Sequence, residues 1–232
     1  MLFRSVPANG GEKSRAVGIV LADGKIATLY HAEETSTAEF SAQVRILKTV
    51  SPENIENSFS VPDGAADILI HGGVIWIAGE TNGKIWAGDW NYSGVYLPGG
   101  MAEIADGTAA KLFHPGETSP TGAVIGYESG GTIRLVNFNA GGGGGELICA
   151  SGNAAQLSDM VASNGGCIGV GTANGTGFAF GRGDRNWEKN FAAYDIESID
   201  SLLSAGDGGF IIVGIAKNNG VKTVFFKKPS EF

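Results

Sequence analysis

Three side chains able to move a proton or hold a cation recur at one offset from a recurring glycine. Asp67, His114 and Asp159 stand 12 residues before Gly79, Gly126 and Gly171, and Asp200 stands 14 before Gly214. Gathered at one mouth of a fold, such acids can serve as acid and base in glycoside hydrolysis. They can also hold calcium through oxygen ligands. The same residue types cap turns and sit solvated, and that use stays open. No glutamate aligns with them to complete an acid/base set. His31, His71 and His114 are the only histidines, and none is joined by a motif to a nucleophile, so a triad has no support. Cys149 and Cys167 lie in the apolar runs ELICASG and GGCIGVG and read as small buried hydrophobes, with no histidine at zinc spacing and a mutual disulfide left open.

Aromatic residues concentrate in one stretch. Trp76 and Trp86 fall inside apolar strands and read as core, whereas Trp90 and Tyr92, at a strand end, can stack on a sugar or on a partner protein. Three short motifs add little. Arg182-Gly183-Asp184 matches an adhesion tripeptide, and Asn91-Tyr92-Ser93 and Asn174-Gly175-Thr176 match glycosylation acceptors. The run Gly141–Gly145 lacks the Lys-Ser/Thr and the helix of a phosphate cradle, so no cofactor is expected.

These residues are carried on hairpins. GVIWIAGETNGKIWAGDW, from Gly73 to Trp90, pairs two apolar runs across Asn82-Gly83, a turn whose residues tolerate positive φ. Similar units begin at Gly122, Gly166 and Gly209, and a fifth at Ala16 with Asp23-Gly24 at its turn. Intervals between the closing glycines are 47, 45 and 43 residues, with 59 from Val20 to Gly79. A period in the forties with several strands per unit is the mark of a propeller blade. A lone hairpin cannot cover both of its faces, so each unit must stack on its neighbours. The expectation is an all-β, five-bladed β-propeller in a single domain spanning 1–232. Its repeats of about 43–59 residues make blades at 1–62, 63–107, 108–154, 155–195 and 196–232. Leu2–Val6 is expected to begin the first blade, Ser51–Asp63 to be a surface loop, and Gly141–Gly145 a mobile loop. The fifth blade has a third strand, Val221–Lys228, but no residues for a fourth, and its open edge calls for a partner chain or stays partly exposed.

Composition agrees. The chain of 232 residues contains 38 glycines, as many tight turns require. Sixteen basic against 24 acidic residues leave a net charge of −8, which argues against nucleic acid and against an anionic membrane surface as partners. The N-terminus MLFRSVPANGG has no long apolar core, so no signal peptide is expected, and no apolar run is long enough to span a bilayer.

IWIAGETNGKIWAGDW and CIGVGTANGTGFAF resemble the Gly-rich hairpins of β-propeller repeats, in particular those of bacterial and phage propeller domains. The resemblance covers five hairpins. The sialidase-type Asp-box and the Gly-His…Trp-Asp signature of WD40 blades are absent. What it implies is a role in a tail, fibre or surface assembly, located in a virion or extracellularly. The reading is a non-catalytic interaction or structural module whose expected partners are other protein subunits and a surface glycan. The alternative is a lectin-like or glycoside-hydrolase-like propeller.

Overall fold

The computed structural model describes residues 14–33, 40–49, 51–113, 122–139, 142–150, 155–163, 166–182, 186–204, 210–218 and 221–227. They form five antiparallel meanders. The first sheet is β1 (Ser14–Ala22), β2 (Lys25–Glu33), β3 (Phe40–Lys48) and β4 (Ser51–Val61). The second is β5 (Ala65–His71), β6 (Val74–Thr81), β7 (Lys84–Trp90) and β8 (Tyr96–Asp106). The third is β9 (Thr108–Phe113), β10 (Gly122–Ser129), β11 (Thr132–Asn139) and β12 (Gly142–Ala150). The fourth is β13 (Gln156–Ser163), β14 (Gly166–Ala173), β15 (Thr176–Arg182) and β16 (Trp187–Asn190). The fifth has three strands, β17 (Ile196–Ser204), β18 (Phe210–Asn218) and β19 (Val221–Lys227). One 3-10 turn, Ala192–Tyr194, links β16 to β17, and among the described residues no helix is long and apolar enough to cross a membrane.

The chain divides into two compact units, Met1–Ala105 with Ala140–Gly142, and Asp106–Asn139 with Gly143–Phe232. In the first unit, one face of the first sheet (Ala27, Leu29, Val44, Ile46) packs on Ile68, Ile70, Ile75, Ile77, Trp86 and Trp90 of the second. In the second unit, Phe113, Val124, Ile133 and Leu135 of the third sheet pack on Met160, Cys167, Phe178 and Phe180 of the fourth. The opposite face of the fourth sheet, Ile168, Val170 and Ala179, packs on Ile199, Leu202 and Ile212 of the fifth. Strand alternation explains this: successive residues point to opposite sides, so a sheet buried on both faces reads as a continuous apolar run. Each large side chain so buried contributes about 1.5–3 kcal/mol.

The recurring glycine has a steric cause. A Cβ on Gly171 would lie 1.9 Å from the Gln156 carbonyl oxygen, and one on Gly79 would lie 2.5 Å from both the Gly64 carbonyl oxygen and the Trp86 ring.

Three expectations are corrected. Ser51–Val61 is the edge strand β4 rather than a loop, paired Ala42↔Val61, Val44↔Phe59 and Ile46↔Asn57. Phe59 and Val61 keep the period of two and pack on the core, the register slips between Ile55 and Asn57, and an edge position tolerates Pro52. The hairpin from Ala16 supplies the first and second strands of its sheet, not the second and third. Once this is recognised, the second strands begin at Lys25, Val74, Gly122, Gly166 and Phe210, at intervals of 49, 48, 44 and 44, and the long first interval disappears. Gly142–Gly145 lie in β12 beside β11, where ladder pairing holds the backbone that glycine leaves loose. Gly141 and Leu2–Val6 fall outside the described residues.

Candidate functional site

The acids selected by spacing sit at β-bulges. Pairing of β5 with β6 slips between Ala65 and Asp67, and pairing of β13 with β14 slips between Leu157 and Asp159. A bulge takes the next backbone N–H out of the ladder. The aspartate supplies the missing acceptor: Ile68 N–H donates to Asp67 Oδ1 at 2.9 Å, and Met160 N–H to Asp159 Oδ1 at 2.8 Å. The other oxygen of Asp159 crosses to the fifth sheet, where it accepts from the Ser201 hydroxyl at 2.8 Å and from Leu202 N–H at 2.9 Å. Asp159 is therefore a bolt between β13 and β17.

Pairing also identifies the equivalent positions. Ala65↔Gly79 with Asp67↔Ala78, and Leu157↔Gly171 with Asp159↔Val170, are matched in the fifth sheet by Ile199↔Gly214 with Ser201↔Val213. Ser201 is thus the counterpart of the two aspartates, and Asp200 is the exposed extra residue of the bulge. In the third sheet Ile125 pairs with Leu112 and Gly126 with Lys111 without a break, and the slip comes later, between Gly126 and Glu128. Constant spacing of 12 therefore does not carry constant register into that sheet. His114 lies outside the described residues. Asp67 belongs to the first unit and Asp159 and Asp200 to the second.

Trp90 is 1% exposed and packs 4.8 Å from the Tyr96 ring, so it faces the core and not a ligand. Tyr92 is half-buried in a polar clamp. Its hydroxyl donates to Asp23 Oδ2 at 3.0 Å, which also accepts from Gly73 N–H at 3.1 Å. The Lys25 ammonium lies 5.1 Å from the Tyr92 ring centroid and bonds Glu56 at 2.5 Å, while Asn57 Nδ2 donates to the Tyr92 carbonyl at 2.7 Å. Burial first, then the Asp23 carboxylate, pushes the Tyr92 hydroxyl up to about 12. The hydrogen bond from Lys25 draws Glu56 down from the usual carboxylate range. Asp23 reaches this position because it takes a left-handed conformation (φ 53°) in the β1–β2 turn. No local sequence signal joins Asp23, Glu56 and Tyr92, which lie on separate strands and turns.

In the second unit a cleft of about 190 Å³ is lined by Gly175, Thr176, Ala192, Asp195, Ile196, Glu197 and Lys217. It offers two carboxylates, a hydroxyl and an ammonium, a set able to bind a small polyhydroxylated or zwitterionic molecule. Asp195 is held by its left-handed φ of 54° and by Lys217 N–H donating to its carbonyl at 2.8 Å. The cleft was not visible in sequence because the strand-end Lys217 and the linker residue Asp195 carry no shared motif. Asp89, also unforeseen, is 1% exposed in β7 and its Oδ1 has no hydrogen-bond partner; burial holds its carboxyl above the usual range. Of the adhesion-like tripeptide, only Arg182 is described, and its guanidinium pairs with Glu188 and donates to the Trp187 carbonyl. Among the described residues no group of three or more His, Cys, Asp or Glu could hold a metal ion.

Comparison with known proteins identifies the class. The chain aligns with the Dos1 propeller (TM-score 0.56, 13% identity, 94% of this chain and 56% of that one). It also aligns with the β-propeller domain of the Trilobed protease from Pyrococcus furiosus (0.55, 8%, 93% and 68%). A neuraminidase-like protein of a little yellow-shouldered bat isolate gives 0.52 and 10% over 94% of this chain and 83% of that one. The fold is that of a β-propeller. This chain spans a little over half the length of the Dos1 propeller. No family model and no curated protein matches the sequence.

Proposed function

We propose that the five sheets are the five blades of one propeller domain that works without catalysis, as an interaction or structural module. Its setting is a virion component such as a tail or fibre, or a surface assembly, and its partners are other protein subunits. The observation that carries this reading is the use of Asp159, one oxygen of which joins two sheets through two hydrogen bonds while the other accepts from the N–H at its own bulge. The three-stranded fifth sheet supports it: among the described residues β19 has no strand beyond it, and such an edge accepts a strand from a partner.

A second reading, a carbohydrate-binding propeller, is favoured by the Thr176–Asp195–Glu197–Lys217 cleft, whose donors and acceptors suit sugar hydroxyls. A glycan array run beside affinity capture of proteins from the native source separates the two. Defined protein partners with no glycan signal support the module, whereas saturable glycan binding lost in Asp195→Ala supports the second reading.

A further inference from the structure

The fifth sheet departs from the repeat at one corner. In the second and fourth sheets the hairpin ladder runs from the recurring glycine only to Thr81 and to Ala173, where the chain turns. In the fifth it runs from Gly214 on to Asn218. Strand β17 follows this longer partner with a second bulge, between Ile196 and Ser198, in addition to the one at Ile199/Ser201. The extension sets Lys217 beside the linker, where its N–H donates to the Asp195 carbonyl at 2.8 Å. Glu197 is the extra residue of the new bulge. Phe191 N–H, donating to the Gly177 carbonyl at 3.0 Å, holds the same linker against β15. Packing of the fifth sheet on the fourth runs through Ile196, Ile199, Leu202 and Ile212 and needs none of these polar side chains. A local departure from a repeat that packing does not require is expected where a chain has a function.

Together with Thr176, these residues line the cleft of about 190 Å³. Asp195 and Glu197 bring two carboxylates and Lys217 one ammonium, so charges of both signs share a small space. They do not cancel each other there: among the described residues no ion pair joins Lys217 to Asp195. A ligand carrying only a cation leaves the Lys217 charge unanswered, and a neutral sugar answers neither sign. Among the described residues no aromatic ring lines the cleft for a sugar to stack on. Charges of both signs held apart in one cleft are complementary to a zwitterion.

We infer that the cleft binds a small α-amino acid through both of its charges. The ligand's ammonium donates to the Asp195 carboxylate, with Glu197 adding negative charge beside it. The ligand's carboxylate accepts from the Lys217 ammonium and the Thr176 hydroxyl. Such charge-assisted bonds are about twice as strong as neutral ones. The volume lies below the ~300 Å³ at which drug-sized pockets begin, which confines the ligand to a short side chain set against Ala192 and Ile196. The inference goes beyond both functions proposed above. It asks nothing of an assembly role, and it puts a zwitterion where the second reading puts a sugar.

Titration of the isotope-labelled chain with glycine and L-alanine, followed by backbone amide shifts, tests it, with ethylamine, acetate and glucose as controls. The result expected is saturable shifts at Gly175, Asp195 and Lys217 with the amino acids. Ethylamine and acetate, each with one charge, should bind about tenfold or more weakly. Asp195→Asn keeps a residue that tolerates the left-handed backbone. It and Lys217→Gln should each weaken amino-acid binding about tenfold with unchanged far-ultraviolet circular dichroism. Lys217→Gln should leave ethylamine binding where it was. Amino acids that bind wild type no more tightly than ethylamine overturn the inference whether or not the variants fold. Glucose shifting these amides while amino acids leave them still overturns it and supports the second reading. No shift with any probe overturns it and leaves the second reading to the glycan array.

Discussion

The Asp159 carboxylate and the Ser201 hydroxyl meet at 2.8 Å, joining the first strands of two successive sheets at equivalent bulge positions. Replacing Asp159 by Ala removes the acceptor of three donors, two of them backbone N–H groups held by the bulges. Leaving such donors unpaired costs about 1–3 kcal/mol. Urea unfolding of Asp159→Ala should show that loss with an unchanged m-value, and Ser201→Ala should lose less. Equal stability of Asp159→Ala and wild type would remove the bolt from this account.

The Gly171 position tests the packing of the recurring glycine. A methyl there would meet the Gln156 carbonyl at 1.9 Å, a backbone atom that cannot turn aside. Gly171→Ala should cost about 3 kcal/mol or more, read as a fall in the unfolding midpoint. Gly175→Ala, with nothing within 4 Å of the added methyl, keeps only the strain of its φ of 72° and should cost less.

Tyr92 titrates late. Its hydroxyl is raised from 10.0 to about 12 in the folded chain, chiefly by burial and then by Asp23. A raised acid binds its proton more tightly when folded, so this stabilisation is full below pH 10.0 and is lost as pH rises toward about 12. Ultraviolet difference titration should show one tyrosine ionising near about 12, absent in Tyr92→Phe. Ionisation of all tyrosines together at the ordinary value would contradict the clamp.

Asp89 is raised for burial alone, and the sign follows the same rule. Folding favours its protonated form, so the stability present below the ordinary carboxylate value of 3.8 is lost as pH rises through the higher folded value. At neutral pH the buried carboxylate is a cost. Asp89→Asn should raise the unfolding free energy at pH 7 by about 1 kcal/mol and lose that advantage in acid. Destabilisation at pH 7 would show that a partner holds the charge.

Much of the fold was legible because the hairpins declare themselves locally: Asn82-Gly83 and Asp23-Gly24 demand a turn, and Val74–Ala78 a buried strand. Phase was not legible. The Ala16 hairpin looks like the others although it occupies different strands, because a bulge and a two-residue turn recur at more than one junction of each meander. The same ambiguity hid β4, whose Glu56, Ser58 and Ser60 are exposed on an edge strand and so imitate a loop. Of the candidate site, Asp67 and Asp159 were found correctly as equivalent positions, but spacing reports neither register nor partner. His114 lies outside the described residues, and Asp200 is the extra residue of the bulge in β17, where Ser201 holds the equivalent place. Trp90 was misplaced because alternation gives the side of a strand and not what covers it. The Tyr92 clamp and the Asp195–Lys217 cleft depend on contacts between strands remote in sequence, and neither has a local signal.

The central proposal, that Asp159 joins two sheets and does no chemistry, is tested most directly by comparing wild type with Asp159→Asn. Both are assayed for turnover of a panel of aryl glycosides and for thermal unfolding. The account predicts no turnover by either protein and a lower midpoint for Asp159→Asn, since an amide offers one acceptor oxygen where the carboxylate offers two. Hydrolysis by wild type that vanishes in a fully folded Asp159→Asn would contradict it.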